Sequence, residues 1–424
     1  MLFSLCLFVA LPQAPAGLEA WMGKEIDGLT RLYEELHADP ELSFAEVRTS
    51  ARMSALLKEA GFTVTENVGG HGVVGVLVNG EGPTLLMRCD MDALPILEET
   101  GLGYASRNAG VMHACGHDLH MSAVVGSVRY LAQQRGSWSG TLVCIAQPAE
   151  ERGSGARLML ADGLFERFPK PDVCLAVHTK AELPVGSIGS CSGFALANVD
   201  SVDILVRGEG GHGSTPHLTH DPVVLASRIV LGLQTIVSRE VAPGEPAVIT
   251  VGSIHGGAKH NIIPNEVKLE ITVRSYAPET RALLLAAIRR TAEGEARAAG
   301  FPESLQPEIT ILDESIGATY NDPELVLKAN AAMARALGPQ AVRTVPAVMG
   351  GEDFGLYGPT AGCPSYLFWL GVTPPERWSQ AQTGGPAVPA VHTSRYTPEA
   401  RGALRTGVMA LSSAALALLG PAPR

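Results

Sequence analysis

Apolar and polar residues follow one another along the chain in blocks that predict alternating helices and strands. Over residues 26–61, apolar side chains recur at helical spacing, and Gly61 is a typical helix stop. Two apolar runs follow within residues 72–90, joined by an Asn-Gly-Glu-Gly turn at 79–82. This pattern predicts one long helix and then a hairpin-like pair of strands.

Three apolar runs, the second of this pair and two later ones, predict buried strands, and each is followed closely by residues that can do chemistry. The runs cover residues 84–89, 141–146 and 173–177, and the polar residues that come next are Asp90, Asp92, Glu150, Glu151 and His178. Strands that are apolar throughout belong to a sheet covered by helices on both faces. Because such sheets bind ligands at the carboxyl ends of their strands, we predict a functional site at that edge.

The pattern changes between residues 198 and 312. Successive runs there predict strand, helix, strand, strand, helix and strand, the first five over residues 201–207, 222–237, 247–254, 266–275 and 278–299. This order is typical of a small two-layer sandwich. Candidate site residues occur again after it, in GGEDF at 350–354 and at His392, which indicates that the chain returns to the first domain.

We therefore predict an α/β protein of two domains. The larger domain, residues 21–197 and 313–424, has three layers around a mixed, mostly parallel sheet. A two-layer α+β domain, residues 198–312, is inserted into it. A chain of 424 residues is too long for one hydrophobic core, which agrees with this division.

Composition and charge exclude several classes of protein. Hydrophobic residues make up 46% and charged residues 18% of the chain, a globular composition without a signature of disorder. The formal net charge is −11, from 43 acidic and 32 basic residues, and this argues against a nucleic-acid partner because phosphate binding needs a concentrated basic face. Seven cysteines, an odd number without a small-domain spacing, predict no disulfide framework.

The first 20 residues predict a signal peptide or a disordered extension. Their apolar stretch and the small residues at 14–16 favour export to the periplasm over a cytoplasmic location, although no basic residue occurs before Lys24. No other segment is apolar over the length needed to span a bilayer, so we expect no membrane partner.

The segment MHACGHDLHM, residues 112–121, holds one cysteine and three histidines, and three explanations for it compete. It could be a metal site, a nucleophilic cysteine with a histidine base, or a polar turn between a strand and a helix. Cys115 and His117 are two residues apart, a spacing at which both side chains can reach one ion from a turn.

Three further donors favour the metal site. Glu151 and His178 follow two of the predicted strands, and His392 precedes a helix predicted to start near residue 398. Thiolate, carboxylate and imidazole donors suit zinc, manganese, cobalt or nickel. Five donors exceed one tetrahedral site, so we predict two divalent ions that share a bridging ligand.

Glu150 is the candidate general base. Adjacent residues in an extended segment point in different directions, so Glu150 and Glu151 cannot both face one ion in the same way. A divalent ion lowers the pKa of water, and a carboxylate within hydrogen-bond reach can take its proton and pass it to a leaving amine. The alternative, a solvated acidic pair, fits less well directly after a buried strand and a proline.

Seven segments of the chain stand out together. They are LHADPELSFAE (36–46), DMDALP (90–95), MHACGHDLH (112–120), QPAEE (147–151), GGHGSTPH (210–217), HNIIP (260–264) and GGEDF (350–354). In this order they resemble the M20 metallopeptidase family, and specifically its amidohydrolase branch, which contains hippurate hydrolases and auxin-conjugate hydrolases. The resemblance covers nearly the whole chain from about residue 25.

The resemblance implies metal-dependent hydrolysis of the amide bond of N-acyl amino acids or similar small amides. It also implies two divalent ions per subunit, bound by Cys115, His117, Glu151, His178 and His392. Glu150 would be the general base, and Asp92 would orient a ligand histidine. The inserted domain would be a lid, which in this family often forms a homodimer.

The sequence departs from the family pattern at several positions. Asp90 stands where many members outside this branch have a metal-binding histidine, and we interpret His113 and His120 as supporting residues. The segment before the cysteine motif is short for the branch. Gly351, a candidate substrate-binding residue, stands where serine is expected, and Lys259-His260 stand where a smaller residue is common.

The inserted domain holds three more candidates. GEGGHG at 208–213 formally matches a dinucleotide-binding motif, but no acidic residue follows about twenty positions later. The resemblance implies instead that this turn presents His212 as a hydrogen-bond donor to the developing oxyanion. Asn261 and Arg274 are candidate substrate-binding residues, and an arginine can pair with a substrate carboxylate, although an exposed strand arginine is the alternative for Arg274.

Several functions remain open at this point. The leading one is metal-dependent hydrolysis of N-acyl amino acids, and a metallo-carboxypeptidase or aminoacylase acting on short peptides is close to it. A hydrolase with Cys115 as nucleophile, or a metal- or peptide-binding protein without turnover, are the others. Glu150 argues against the last, because a pure binding site needs no base beside its metal ligands.

Overall fold

The computed structural model describes residues 17–421. Its first part contains α1 (Leu18–Ala38), α2 (Val47–Glu59), β1 (Thr63–Val68), β2 (Gly72–Asn79), β3 (Thr84–Asp90), α3 (His117–Gln133), β4 (Trp138–Gln147), α4 (Gly155–Ala161), α5 (Leu164–Arg167), β5 (Val173–Pro184), β6 (Ile188–Ser190) and β7 (Gly193–Leu196). The predicted signal peptide or extension lies outside the described residues, except that α1 begins within its last positions.

The middle part repeats the predicted order of strands and helices, with two short strands added. It contains β8 (Asn198–Arg207), β9 (Gly211–His212), α6 (Pro222–Arg239), β10 (Ala247–Gly256), β11 (Ile262–Ile263), β12 (Glu266–Ser275), α7 (Pro278–Ala298) and β13 (Glu308–Ile311). The last part contains β14 (Thr319–Asn321), α8 (Pro323–Leu337), β15 (Val342–Thr344), α9 (Tyr357–Ala361), β16 (Ser365–Thr373), α10 (Pro375–Gln382), α11 (Ala400–Leu418) and β17 (Gly420–Pro421).

The larger sheet combines the first and last parts of the chain. Its strand order is β1-β2-β4-β3-β5-β16-β6-β15, with β17 beside β4. Pairing is parallel at the centre, where β3 lies between β4 and β5 and β5 pairs with β16, and antiparallel between β1, β2 and β4. The carboxyl ends of β3, β4 and β5 therefore lie side by side, at the edge where open α/β sheets bind ligands.

Helices cover both faces of this sheet because its central strands are apolar on both sides. Leu85 and Met87 of β3 pack into a core with α1, α3, α8 and α11, whereas Leu86 packs into a second core with α4 and α9. Successive side chains of a strand point to opposite faces, so one apolar strand contributes to both cores. This three-layer arrangement confirms the predicted α/β class.

The smaller sheet has the order β10-β12-β8-β13 and packs against α6 and α7. By length and composition α6 is apolar enough to cross a membrane, which corrects the expectation that no segment beyond the N-terminus is. Leu225, Ile229 and Leu233 of α6 are buried in the core of this sheet. Packing of an amphipathic helix on a sheet therefore accounts for its apolar face.

The prediction of one helix over residues 26–61 is wrong, because a loop over residues 39–46 separates α1 from α2. Pro40 explains the break. Proline disfavours helical backbone at the residue before it, and Asp39 has φ −131° and ψ 53°. The loop has the length to leave the helix layer and reach the functional edge of the sheet.

The prediction of a hairpin over residues 72–90 is also wrong, because β4 lies between β2 and β3. The turn reverses the chain, but the strands on either side of it do not pair. Thr141 N–H of β4 donates to the Pro83 carbonyl at 3.0 Å, so β4 is hydrogen-bonded to the chain directly after the turn. A turn signal reports the reversal of the chain, whereas the pairing partner is decided by contacts distant in sequence.

A buried ion-pair group joins α1 to the start of α3. His37 Nδ1 lies 2.7 Å from Asp118 Oδ2, and its Nε2 lies 3.2 Å from Glu98 Oε1. Burial disfavours the charged imidazole, but the hydrogen bonds and charges of the two carboxylates outweigh it and raise the pKa of His37 to about 9. This group fixes the first turn of α3, which begins with the candidate ligand His117.

We expect His37→Gln to destabilise the protein at about pH 6 and much less at about pH 10. The pKa of His37 is raised from 6.5 to about 9 on folding. Its charge therefore contributes fully below about pH 6.5, and the contribution is lost as the pH rises through about 9. Denaturant unfolding across this range measures the difference in the free energy of unfolding, with exposed His255→Gln as the control. A difference independent of pH would contradict a charged His37.

Candidate metal centre and active site

The candidate ligands come from several segments that meet at the carboxyl edge of the larger sheet. They are Cys115 before α3, His117 at its start, Glu151 after β4, His178 in β5 and His392 before α11. The strand that we predicted over residues 173–177 continues to Pro184, so the histidine projects from within the strand and not from its end.

Several of the loops around these residues have unusual backbone conformations. Four non-glycine residues among those described have a positive φ, and three lie in loops of the site: Phe44 (69°), Ala149 (50°) and His392 (62°). Such conformations cost on the order of 1–3 kcal/mol and occur often at functional sites. At Gly116 (φ 88°) a Cβ would lie 2.7 Å from Thr179 Oγ1, so glycine is needed for the cysteine loop to approach β5.

The Cys115 thiol lies at the centre of the ligand cluster. Its Sγ is 3.4 Å from His178 Nε2 and 3.2 Å from His392 Nε2. His117 Nε2 and Glu151 Oε1 are 3.8 Å apart, and neither buried atom has a hydrogen-bond partner among residues 17–421. Buried polar atoms without partners are rare, and a bound ion is one of the few arrangements that satisfy them.

These donors fit two metal ions that share one ligand. In each of two groups the ligand atoms lie within 4.8 Å of one another, and the groups are Cys115, His117 and His178, and Cys115, Glu151 and His392. Because the thiolate belongs to both groups, it can bridge two ions. Thiolate, imidazole and carboxylate together suit first-row divalent metals.

Hydrogen bonds on the far side of two histidines set their tautomers. His117 Nδ1 donates to the Asp92 backbone carbonyl, and His178 Nδ1 donates to the Thr179 carbonyl, each at 2.8 Å. A carbonyl only accepts, so each Nδ1 carries a proton, and in the neutral imidazole Nε2 is the nitrogen whose lone pair can bind an ion. Burial also holds the pKa of His178 well below its usual range, which keeps this imidazole neutral.

Asp92 holds the two adjacent glutamates in place. Its carboxylate accepts hydrogen bonds from the backbone N–H groups of Glu150 at 3.1 Å and Glu151 at 3.0 Å, and from the Ser43 hydroxyl at 2.6 Å. The Asp92 carboxylate is 3.4 Å from His117 Nδ1, farther than the backbone carbonyl of the same residue. Asp92 thus contacts a ligand histidine mainly through its carbonyl.

The loop over residues 39–46 braces the same segment from the other side. Glu46 is buried, and its Oε1 accepts a hydrogen bond from the Ala149 N–H at 2.8 Å. Ser43 of this loop donates to Asp92. These contacts give a role to LHADPELSFAE, which the sequence marked as a motif without indicating what it touches.

Glu150 is buried beside the ligands, with its Oε2 3.7 Å from His117 Nε2. Burial and the carboxylates of Glu352 and Glu151 raise the pKa of Glu150 above its usual range. A carboxylate whose pKa is raised holds a proton more readily, which suits a group that accepts a proton and then returns it. Burial also raises the pKa of the Cys115 thiol.

A buried arginine below the ligands is the main feature that the sequence analysis missed. Arg88 of β3 is fully buried and pairs with Asp90 at 2.7 Å, Glu352 at 2.9 Å and Asp353 at 3.0 Å. His120 Nδ1 donates to the second oxygen of Asp90 at 2.7 Å. A charged residue inside an apolar strand was the available signal, because a buried charge requires partners.

A cavity of about 560 Å³ opens beside the ligands. Its wall includes Glu150, Arg274 and Gly351, so two of the candidate substrate-binding residues lie in one cavity with the candidate base. Arg274 Nη1 donates to the Met349 carbonyl at 2.6 Å, which anchors the guanidinium at the wall. Much of the remaining wall is apolar, formed by Leu196, Val199, Ile316, Val348, Trp369 and Val391.

His212 and Asn261 lie together in the middle part of the chain, and neither is among the residues that line this cavity. His212 of β9 pairs with Ile262 of β11, and Gly213 N–H donates to the Asn261 carbonyl at 2.9 Å. His212 is exposed, with its Nδ1 2.7 Å from the Ser214 hydroxyl. The chain therefore does not bring His212 to its own cavity in this structure.

Known proteins resemble this chain in both sequence and fold. The family model for "Peptidase family M20/M25/M40" matches residues 86–383. N-acetylcysteine deacetylase of Bacillus subtilis (strain 168) is 36% identical over 352 residues, 82% of this chain and 90% of that protein. Hippurate hydrolase of Campylobacter jejuni is 36% identical over 343 residues, 80% of this chain and 86% of that protein.

A solved structure agrees with these relatives. A dinuclear metal-binding peptidase of the M20 family from Bacillus subtilis has a TM-score of 0.75 and 29% identity, covering 95% of this chain and 100% of that one. The resemblance seen in the sequence motifs is confirmed, and with it the assignment to metal-dependent hydrolases that act on amide bonds. The chain belongs to peptidase family M20/M25/M40.

Proposed function

We propose that the chain releases the acyl group from N-acyl amino acids, at two divalent ions held by Cys115, His117, Glu151, His178 and His392. The observation that carries this proposal is the thiol of Cys115, which belongs to both groups of ligand atoms. The names of its relatives, a deacetylase of N-acetylcysteine and a hydrolase of hippurate, support the substrate class.

Bound divalent ions would supply Lewis acidity that polarises the amide carbonyl and lowers the pKa of water. Glu150 takes the proton from the attacking water at its carboxylate and returns it to the leaving nitrogen. Asp92 keeps Glu150 within reach, because it fixes the backbone N–H of that residue. Burial of Glu150, which is 7% exposed, limits the water that contacts its carboxylate.

The cavity supplies the recognition of the substrate. The Arg274 guanidinium donates one hydrogen bond to a carbonyl, which leaves donors for the α-carboxylate of the substrate amino acid. The apolar wall, which includes Leu196, Val199 and Ile316, accommodates the acyl group. At Gly351, where a serine is expected in relatives, a Cβ would lie 2.8 Å from Val199 Cγ2, so glycine lets this loop pack closely against the apolar wall.

Residues 198–312 act as a lid and, in this proposal, as the contact surface of a homodimer. Two apolar residues of α6 support this, because Val224 is 56% and Leu231 is 72% exposed. The edge strand β10 adds Ile254, which is 55% exposed. Val224 and Leu231 lie two turns apart on α6 and so share its outer face, and an exposed apolar face is typical of contact surfaces between proteins.

Metal removal tests the function. We expect dialysis against a chelator to abolish hydrolysis of N-acetyl and N-benzoyl amino acids, and divalent zinc, manganese, cobalt or nickel to restore it. Metal analysis of the purified protein should give about two ions per subunit, as a thiolate bridge between two sites requires. Activity that survives a chelator after the metal has been removed would contradict the proposal and favour a thiol hydrolase.

The variant Cys115→Ala separates these two mechanisms further. As a bridging ligand, the thiolate is needed for metal content, so the variant should lose both metal and activity. Cys144→Ala is the control, because that cysteine is also fully buried and lies in the apolar core. Full metal occupancy together with complete inactivity of Cys115→Ala would support a nucleophilic cysteine.

A further inference from the structure

Lys180 is a charged residue of the cavity that neither the metal centre nor the proposed reaction uses. It follows the candidate ligand His178 by two positions on β5. Residues two apart on a strand lie on the same face, about 7 Å from each other along it. Lys180 therefore stands within the length of one small substrate from the reacting bond.

The ammonium group of Lys180 is held at the wall by an aromatic ring and has one exposed carboxylate near it. Its Nζ lies 5.5 Å from the centre of the Trp369 ring, and Trp369 also lines the cavity. The side chain is 17% exposed, and Glu182, at 3.7 Å and 65% exposed, supplies the one carboxylate within 4.0 Å among the described residues. That distance is too long for a hydrogen bond, so the donors of the ammonium group remain free.

The other charges of the cavity do not compensate Lys180. Glu150 and Glu151 line the cavity as well, but they are the proposed base and a proposed metal ligand. The remaining charged residues of the wall are Lys180, Glu182 and Arg274. Two cations beside apolar walls attract anions more strongly than they would in water, because less water screens them.

We propose that Lys180 forms a binding subsite for a second carboxylate of the substrate, in addition to the one bound by Arg274. The preferred substrates are then N-acyl amino acids with two carboxylates. The second carboxylate belongs either to an acidic amino acid or to a dicarboxylic acyl group. This inference rests on the proposed function and narrows its substrate class.

Two pairs of substrates of matched shape test the inference. On the amino-acid side, N-acetyl-L-glutamate is compared with N-acetyl-L-glutamine. On the acyl side, N-succinyl-L-alanine is compared with N-succinamoyl-L-alanine, in which the acyl carboxylate is replaced by an uncharged amide. In one pair we expect the metal-loaded enzyme to prefer the dianion about 10- to 100-fold in kcat/KM, the range of a hydrogen bond between charged groups.

Variants assign the preference to Lys180. Lys180→Met keeps the length of the side chain and removes its charge, and should bring the ratio of kcat/KM for the dianion and the monoanion of each pair close to one. Lys328→Met removes the same charge from an exposed position of α8 and should leave the ratio unchanged. Glu182→Gln removes the competing carboxylate and should raise the ratio by up to about fivefold, the range of an exposed ion pair.

The outcomes separate this inference from the function on which it rests. Equal hydrolysis of both members in both pairs, or a preference that persists in Lys180→Met, would overturn the subsite and leave the proposed function intact. A metal-loaded enzyme that hydrolyses none of the four compounds would overturn the proposed function, and the subsite with it. Metal content and thermal unfolding of each variant confirm that the compared proteins are folded and loaded.

Discussion

Glu150→Gln should lower turnover by about 100- to 10,000-fold, the usual contribution of a general acid–base group, while the fold and the metal content stay the same. The amide has the shape of the carboxylate, and the hydrogen bond to Asp92 comes from the backbone N–H at 3.1 Å, which the substitution keeps. Glutamine also removes one negative charge from a buried acidic group that includes Glu352 and Asp353. We therefore expect no loss of stability.

The adjacent residue provides a matched control. Glu151→Gln makes the same chemical change one position later, at a proposed ligand whose Oε1 has no hydrogen-bond partner among the described atoms. It should lose metal as well as turnover, whereas Glu150→Gln should lose turnover alone. Near-wild-type turnover of Glu150→Gln would remove this residue from the mechanism, and loss of metal from it would make it a ligand. Steady-state rates and metal analysis of both variants decide whether Glu150 is a base or a ligand.

His212→Ala should lower turnover by about 100- to 1,000-fold, the usual effect of removing one donor to an oxyanion. The expected loss depends on the assembly of two subunits. His212 is exposed in β9 and does not line its own chain's cavity, so it can serve the reaction when the inserted domain of one subunit reaches the cavity of another. The exposed His217, five positions later, gives the control His217→Ala, which should keep its turnover.

Mixing two inactive variants tests whether the site is shared. In a dimer with shared sites, each site takes Glu150 from one chain and His212 from the other. A heterodimer of Glu150→Gln and His212→Ala then holds one site with both defects and one site with neither. Subunit exchange should restore up to about half of the wild-type activity per heterodimer, given the size of each defect.

The result is informative only with a measurement of exchange. Native mass spectrometry or differently tagged subunits show whether heterodimers have formed. Restored activity would also establish the dimer. An inactive mixture with demonstrated heterodimers would mean that His212 serves its own chain, or that it has no part in the reaction.

Local patterns in the sequence predicted the central strands and marked the residues that we propose as donors. Apolar runs predicted β3, β4 and β5, and chemistry-bearing residues after them predicted a site at one edge of the sheet. The strand predictions succeed because the burial of a strand is a property of a short segment. Glycine and proline residues were used less completely to predict where elements end. The effect of Pro40 on a helical pattern was overlooked, although its physical basis is local.

The tertiary structure alone decided which segments meet. A turn at 79–82 predicted a hairpin, but β4 entered between its strands, because apolar strands report burial and not the identity of their neighbours. The same limit applied to Arg88, whose acidic partners Glu352 and Asp353 lie more than 200 positions away. The sharing of Cys115 between two ligand groups, and the position of Lys180 in the cavity, also depend on contacts between distant segments. The free energy of such contacts depends on the distances between residues in space, and the sequence alone does not give those distances.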